Sequence, residues 1–186
     1  MLIDLDDTIW SELRHAYGNA SSIPQTLREM YSGDDVADEK FMGFTNAVSH
    51  QGSVYNASFA AFPHLVKIGI SAGRYHEIAF SIAEIILYDA LSGDGATLPP
   101  MSDRLHQGFM YGLAMGRAYL SKQLELEFLN SSDPTELYLL RRISLFRMRP
   151  RVTMLLDTVS RNFHCPLCRE TIENPIEALC PFPYSE

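Results

Sequence analysis

The chain has 186 residues, of which 46% are hydrophobic and 20% charged, and its formal net charge is −8. This composition can bury a core and excludes general disorder, while the negative charge disfavours free nucleic acid as a partner. No stretch of about 18 uncharged apolar residues occurs, so we expect no membrane span. The acidic N-terminus is unlike the basic start of a secretory signal, and three cysteines do not form an even disulfide set. We therefore expect a cytoplasmic protein.

The opening segment, MLIDLDDTIW, places Asp4 and Asp6 with the spacing of the nucleophile motif of haloacid-dehalogenase-type phosphatases. A nucleophile of that type follows a buried parallel strand, and here only three residues precede Asp4. The interpretation that we favour is that Asp4, Asp6 and Asp7 precede or begin a helix. Carboxylates interact favourably there with exposed amides and with the helix dipole.

Apolar residues recur with a helical period nearly everywhere, and Gly, Pro and capping residues separate the predicted helices. In chain order these are IWSELRHAY, capped by Asp7 or Thr8; SSIPQTLREMYSG; DDVADEKFMGFTNAVSHQG; VYNASFAAFPHLVKIGISAG, bent or restarted at Pro63; RYHEIAFSIAEIILYDALSG; a long helix from about Ser102 to Leu129; DPTELYLLRRISLFRMR; and RPRVTMLLDTVSR. We predict an all-α domain of about eight helices over residues 1–162, either a HEAT-like α-solenoid or an irregular bundle. Residues 163–186, rich in Pro and Cys, are predicted to form an irregular tail.

Three glycines of the long helix, Gly108, Gly112 and Gly116, are spaced by four residues. In a membrane this spacing would indicate helix dimerisation, but Arg104 and Arg117 in the same helix argue against a lipid environment. The spacing therefore predicts a helix that another backbone crosses closely.

Two histidines, His15 in HAYG and His50 in SHQG, each precede a glycine where a predicted helix ends. A histidine in that position can bond the last carbonyls and is favoured by the helix dipole when charged. That structural role is our main interpretation. The alternative is a small helical enzyme in which His15, His50 and nearby acids line a cleft.

The segments WSELRHAYGNASSIPQTL and VSHQGSVYNASFAAFPHLVKI resemble a group of bacterial HEAT-repeat-like proteins, many of them encoded beside polymorphic or secreted toxins. The resemblance covers about the first third of the chain and implies a stacked helical scaffold that binds protein, with an immunity role. It assigns no chemical role to any residue. The matching residues are Trp10, Leu13, His15, Ala16, Tyr17, Gly18, Ile23, Pro24, Leu27, His50, Gln51, Gly52, Tyr55, Ala57, Ala60, Ala61, Pro63 and Leu65.

Acidic side chains are concentrated near the N-terminus, where residues 1–50 contain nine acidic and three basic residues. Four of the acids, Asp34, Asp35, Asp38 and Glu39, fall within GDDVADEK. Such a surface suits a basic partner such as a nuclease, because opposite fields speed encounter and set the register of binding. The simpler interpretation is that these acids are solvated in a loop and in the first turn of a helix.

Five arginines lie within eleven residues near the C-terminal end of the helical region. Interleaved exposed aromatic residues are few and the protein is acidic, so a solvated helix end paired with acids is favoured over nucleic-acid binding. These residues are Arg141, Arg142, Arg147, Arg149 and Arg151.

The cysteines provide the only pattern that resembles a metal site. Cys165 and Cys168 have zinc-knuckle spacing, and Cys180 follows, but zinc usually takes four protein ligands in a structural site. Adjacent His164 and Cys165 cannot easily bind the same ion. We therefore favour a degenerate knuckle with free thiols, and no cofactor, over bound zinc.

These observations lead to one main hypothesis and two alternatives. The main hypothesis is a non-enzymatic immunity protein that covers the active site of a basic toxin domain. Its expected partner-binding residues are Asp34, Asp35, Asp38 and Glu39. The alternatives are the His/acid enzyme and a zinc-dependent interaction adaptor that acts through its C-terminal tail.

Overall fold

The computed structural model describes residues 2–91, 100–128 and 135–149, together with two-residue strands at 163–164 and 171–172. Side chains are described for residues 2–91, 100–123 and 139–149. Six α-helices lie in this part of the chain, and none of them is long and apolar enough to cross a membrane. The elements are a 3-10 helix at Thr8–Ser11, β1 at Arg14–His15, β2 at Gly18–Asn19, α1 at Ile23–Ser32, α2 at Asp38–Val48, α3 at Asn56–Gly69, α4 at His76–Leu91, α5 at Asp103–Phe128, α6 at Thr135–Phe146, β3 at Phe163–His164 and β4 at Thr171–Ile172.

The first predicted helix, IWSELRHAY, forms only a 3-10 turn at Thr8–Ser11, so the prediction is wrong for the rest of that segment. Asp7 caps it as expected, since its carboxylate accepts from the amide of Ile9 at 2.9 Å, but only the 3-10 turn follows. The chain then forms the antiparallel pair β1–β2. Two amides of this segment bond to other helices: Arg14 N donates to Asn56 Oδ1 at 2.6 Å, and Ala16 N donates to Ala47 O at 3.2 Å. These long-range bonds replace the helical ones.

Helices α1 and α3 lie close to where the sequence predicts them. Pro24 lies in the first turn of α1, and Gly33 ends the helix in the left-handed conformation, with φ of 76°, as predicted. Of the two alternatives predicted at Pro63, a bend or a restart, the restart is wrong, because α3 continues through this residue. Residues 57–66 are all buried, so packing holds α3 together despite the missing proline donor.

Helix α3 lies at the centre of the packing and contacts α1, α2, α4 and α5, while α6 packs on α4 and α5. A cluster of fully buried phenylalanines takes one side chain from each of the last four helices. The ring centroids of Phe62 and Phe109 are 4.7 Å apart, and those of Phe80 and Phe146 are 5.1 Å apart. Aromatic pairs at these separations contribute beyond simple area burial.

The close helix crossing predicted from the glycines is confirmed on α5. A Cβ added at Gly112 would lie 2.9 Å from the Cα of Pro63, and one added at Gly116 would lie 2.2 Å from Phe146 Cε1. The neighbour at Gly112 is the backbone of α3, as predicted, whereas at Gly116 it is the ring of Phe146 from α6.

The all-α class is confirmed for the described residues, in which strand is limited to two short antiparallel pairs. The described residues contain six of the about eight predicted helices. One predicted helix is the 3-10 turn followed by β1–β2, and the eighth, RPRVTMLLDTVSR, lies outside the described residues. The described residues of the predicted tail are those of β3 and β4, which pair Phe163 with Ile172.

Candidate functional site

The acidic segment, residues Asp34–Glu39, joins α1 to α2 and is held in place by one buried side chain. The hydroxyl of Tyr75 donates to the carbonyl of Asp34 at 2.6 Å and accepts from the amide of Val36 at 2.9 Å. The Tyr75 ring also stacks on Phe41, with centroids 6.5 Å apart. The backbone of the acidic segment is therefore fixed against the start of α4.

The four acidic side chains of this segment are exposed. Asp35 forms an ion pair with Arg74 at 2.8 Å. Among the described side chains, Asp34, Asp38 and Glu39 form no ion pair. Lys40 does not neutralise them, because its ammonium lies 2.5 Å from the carboxylate of Glu29. The segment therefore keeps most of its negative charge facing solvent.

Helix α2 carries an apolar side chain beside these acids. Met42 is 57% exposed and lies one turn after Asp38 and Glu39. Gly43 and Asn46 are exposed on the same side of the helix, whereas Phe44, Ala47 and Val48 face the core. Methionine is enriched in protein interfaces, and charged side chains occur at their polar rim, so Met42 and the neighbouring acids suit the centre and the edge of a contact.

Tyr17 lies near the C-terminal end of α2 and is the most exposed large hydrophobic residue among the described side chains, at 63%. Its hydroxyl is 3.0 Å from Nδ1 of His50, and the two rings meet edge to face at 5.2 Å. Its amide donates to Nδ1 of His15 at 3.1 Å, so a neutral His15 carries its hydrogen on Nε2. Tyr17 thus stands outward from β1–β2 with a histidine on either side.

The helix-end role predicted for His15 is wrong, whereas His50 has the predicted position just beyond the end of α2. His15 belongs to β1, and His50 lies beyond the last residue of α2, where its backbone pairs with Ser53. The physical reason is that β1–β2 docks on the end of α2, so Tyr17 rather than a helix carbonyl bonds the His50 ring. The group formed by Tyr17, His15 and His50 can therefore offer an aromatic face and ring nitrogens to a bound molecule.

A third histidine, His64 on α3, is buried, with only 4% of its surface exposed. Its Nε2 donates to the carbonyl of Ile3 at 2.8 Å, so Nδ1 of the neutral ring accepts from the hydroxyl of Tyr31 at 3.1 Å. Burial lowers the pKa of His64, and burial raises the pKa of Tyr31 to about 12. These groups fasten the N-terminal segment to α3 and α1.

The arginine cluster is not a uniformly solvated helix end. Arg142 is buried, and its Nε lies 2.6 Å from a carboxylate oxygen of Glu84, which is also buried. Burial raises the pKa of Glu84 to about 7, although the charge of Arg142 opposes this shift. Arg147 and Arg149 are exposed, and Arg151 lies outside the described residues. Part of the cluster is therefore a packing contact between α4 and α6.

The phosphatase motif has no matching structural context in the described residues. Asp4 lies in a turn in which its carboxylate accepts from the amide of Asp6 at 2.9 Å, and Asp6 forms an ion pair with Arg28. The described strands pair only in antiparallel fashion. The described residues contain no group of three His, Cys, Asp or Glu side chains that could hold a metal ion. Cys165, Cys168 and Cys180 lie outside them.

Comparison with known proteins found no match to a family model, to a curated protein or to a solved structure. The case for function therefore rests on the surface geometry. Sequence reasoning located the acidic segment but missed Tyr75, Met42 and the pairing of Tyr17 with His50. Tyr75 bonds to residues 39 and 41 positions away, and no local pattern signals such a contact.

Proposed function

We propose that this protein is an immunity protein that binds a cognate bacterial toxin domain and covers its active site, with no catalysis of its own. The observation that carries the proposal is the acidic segment, in which Asp34, Asp38 and Glu39 are exposed and form no ion pair with another described side chain. Its backbone is fixed by the bonds of Tyr75 to Asp34 and Val36 and by the start of α2. A rigid charged surface loses little conformational freedom on binding, so it suits a stoichiometric inhibitor.

The expected partner is a basic domain, such as a nuclease. The chain has a net charge of −8, and the acidic segment adds a local field of the same sign. Nucleases carry basic surfaces that bind phosphates, and an acidic protein can occupy the same surface. Complementary fields chiefly raise the association rate, and that rate then falls as salt is added.

A HEAT-like scaffold is part of the proposal. Two features support it: the resemblance of the first third of the chain, and the order of contacts. Helices α1, α3 and α5 contact one another in series, and α4 contacts α6. Stacked helix pairs produce this alternation of first and second neighbours, and such stacks commonly bind protein along one surface.

The proposal expects a toxin domain to be encoded beside this gene, and that domain is the partner used in the test. The double variant Asp38→Lys and Glu39→Lys is compared with a matched control, Glu12→Lys and Asp103→Lys, which reverses two other exposed acids. Both variants change the net charge equally, and Asp38 and Asp103 each lie in the first turn of a helix.

Association rates are measured at two salt concentrations, and growth is followed on co-expression with the toxin. We expect the Asp38/Glu39 variant to associate at least about tenfold more slowly at low salt, with a weaker salt dependence than the control. Equal rates for the two variants would move the binding surface away from the acidic segment. Full growth inhibition by the toxin in the presence of the wild-type protein would reject the immunity role.

A further inference from the structure

The acidic segment and the Tyr/His group of Tyr17 and His50 lie at opposite ends of α2. The amide of Ala16 bonds to Ala47 near the end of the helix, which places β1–β2 there. Glu39 and Ala47 are separated by eight residues, and this corresponds to about 12 Å along a helix axis. Met42 is exposed between these two ends. Asp38 and Glu39, then Met42, and finally Tyr17 are therefore found in this order along the length of α2.

We infer that Tyr17 is the anchor of the docking surface and carries much of its affinity, while the acidic segment sets the association rate. This inference rests on the proposed function and names the side chain on which the same basic toxin domain would close. The docking surface is defined here as Asp38, Glu39, Met42, Tyr17 and His50.

The placement of Tyr17 fits the properties of interface anchors. Tyrosine buries a large ring at low entropic cost and is enriched at the few positions that dominate binding energy. Most of its surface is free, at 63% exposure, so a partner can bury it. Its hydroxyl is already bonded to His50, and its amide to His15, so little ordering remains to be done on binding.

The chemistry of this end of the surface also suits a basic partner. The open face of a tyrosine ring attracts an arginine or lysine cation, especially when water is excluded. The ring nitrogen Nε2 of His50 has no hydrogen-bond partner among the described residues, so it is available to the toxin: it accepts when Nδ1 carries the hydrogen and donates when Nδ1 accepts from Tyr17. A cationic side chain that reaches Tyr17 therefore meets an open aromatic face.

The backbone around Tyr17 and His50 is held by hydrogen bonds at the C-terminal end of α2 and the N-terminal end of α3. Arg14 N donates to Asn56 Oδ1 at 2.6 Å, and the hydroxyl of Ser58 donates to the carbonyl of Val48 at 2.5 Å. These bonds hold the backbone under Tyr17 without using its ring. Truncation of the ring is therefore expected to leave the fold intact.

The experiment measures binding of the adjacent toxin domain by Tyr17→Ala, Tyr17→Phe and a control, Tyr111→Ala. Tyr111 is also exposed, at 45%, but it lies on α5. We expect Tyr17→Ala to raise Kd at least about 30-fold, mainly through faster dissociation, with the salt dependence of association retained. Tyr17→Phe keeps the ring and is expected to weaken binding by less than about fivefold. The control is expected to stay within about twofold of the wild type.

The possible results separate the inference from the proposal on which it rests. Tight binding by both the wild type and Tyr17→Ala would overturn the anchor and leave the immunity role standing. Absence of binding by the wild-type protein would overturn both. The thermal stability of each variant is measured as well. If Tyr17→Ala is less stable than the wild type, Tyr17→Phe serves as the check, because it keeps the ring and is expected to keep the complex.

Discussion

Gly112 of α5 lies against Pro63 of α3 so closely that a Cβ at Gly112 would approach the Cα of Pro63 to 2.9 Å. The neighbour is backbone in the middle of the central helix, so it cannot move aside as a flexible side chain could. This contact sets how close the two helices lie and brings Phe109 of α5 onto Phe62 of α3.

The first prediction follows from this contact. Gly112→Ala is expected to destabilise the protein by about 1–3 kcal/mol, because overpacking outweighs the gain in helix propensity. The matched control is Gly43→Ala in the exposed interior of α2, where an added Cβ meets nothing within 4 Å. That variant is expected to be neutral or to gain up to about 1 kcal/mol. Urea unfolding of both variants gives the comparison, and equal effects would contradict the close crossing.

The second prediction concerns His64. The variant His64→Phe keeps an aromatic ring but removes the ring nitrogens that bond the Ile3 carbonyl and the Tyr31 hydroxyl, at an expected cost of about 1–3 kcal/mol. Burial lowers the pKa of His64 in the folded protein below its ordinary value of 6.5. The unfolded chain therefore binds the proton first as pH falls, so wild-type stability declines as pH drops below 6.5.

Chemical unfolding at a series of pH values tests this sign. The His64→Phe variant is expected to lose that part of the acid-side decline, which is at most about 1.4 kcal/mol per pH unit for one proton. The control, His106→Phe, replaces an exposed histidine of α5 and is expected to keep the wild-type slope. A wild-type slope in His64→Phe would show that this buried imidazole does not remain neutral.

The third prediction concerns Glu84 and has the opposite sign. Its pKa is raised by burial from 4.5 to about 7, so the folded protein holds a proton that the unfolded chain releases in this range. The contribution of Glu84 to stability is therefore complete below pH 4.5 and is lost as pH rises through about 7. Removal of the titratable group should abolish this loss.

The variant Glu84→Gln lacks the titratable carboxyl group, so its free energy of unfolding is compared with that of the wild type across pH 5–8. We expect the wild type to lose stability relative to the variant as pH rises through this range. The control is Glu77→Gln, since Glu77 lies on the same helix and 3.5 Å from Arg142 but is largely exposed. A constant difference between wild type and Glu84→Gln would mean that the ion pair with Arg142 keeps Glu84 charged throughout.

Several features of the fold are determined by short stretches of sequence. Pro24 and Gly33 bound α1, because a proline is tolerated in the first turn of a helix and a glycine accepts the left-handed conformation just beyond its end. The spacing of Gly112 and Gly116 indicates a close crossing, because both glycines lie on one side of their helix. The exposure of the acidic segment follows from the cost of burying charge.

Only the tertiary structure decided the arrangement of the candidate site. The segment IWSELRHAY has a helical pattern, yet it leaves the helix after one turn because its amides bond to Ala47 and Asn56. Tyr17 meets His50 across 33 positions of sequence, and Tyr75 reaches back 39 positions to Val36. Helix caps and glycine turns depend on residues within about one turn, so they can be inferred locally. Side chains far apart in sequence meet only after the helices have packed, so no short pattern in the chain reports their contact.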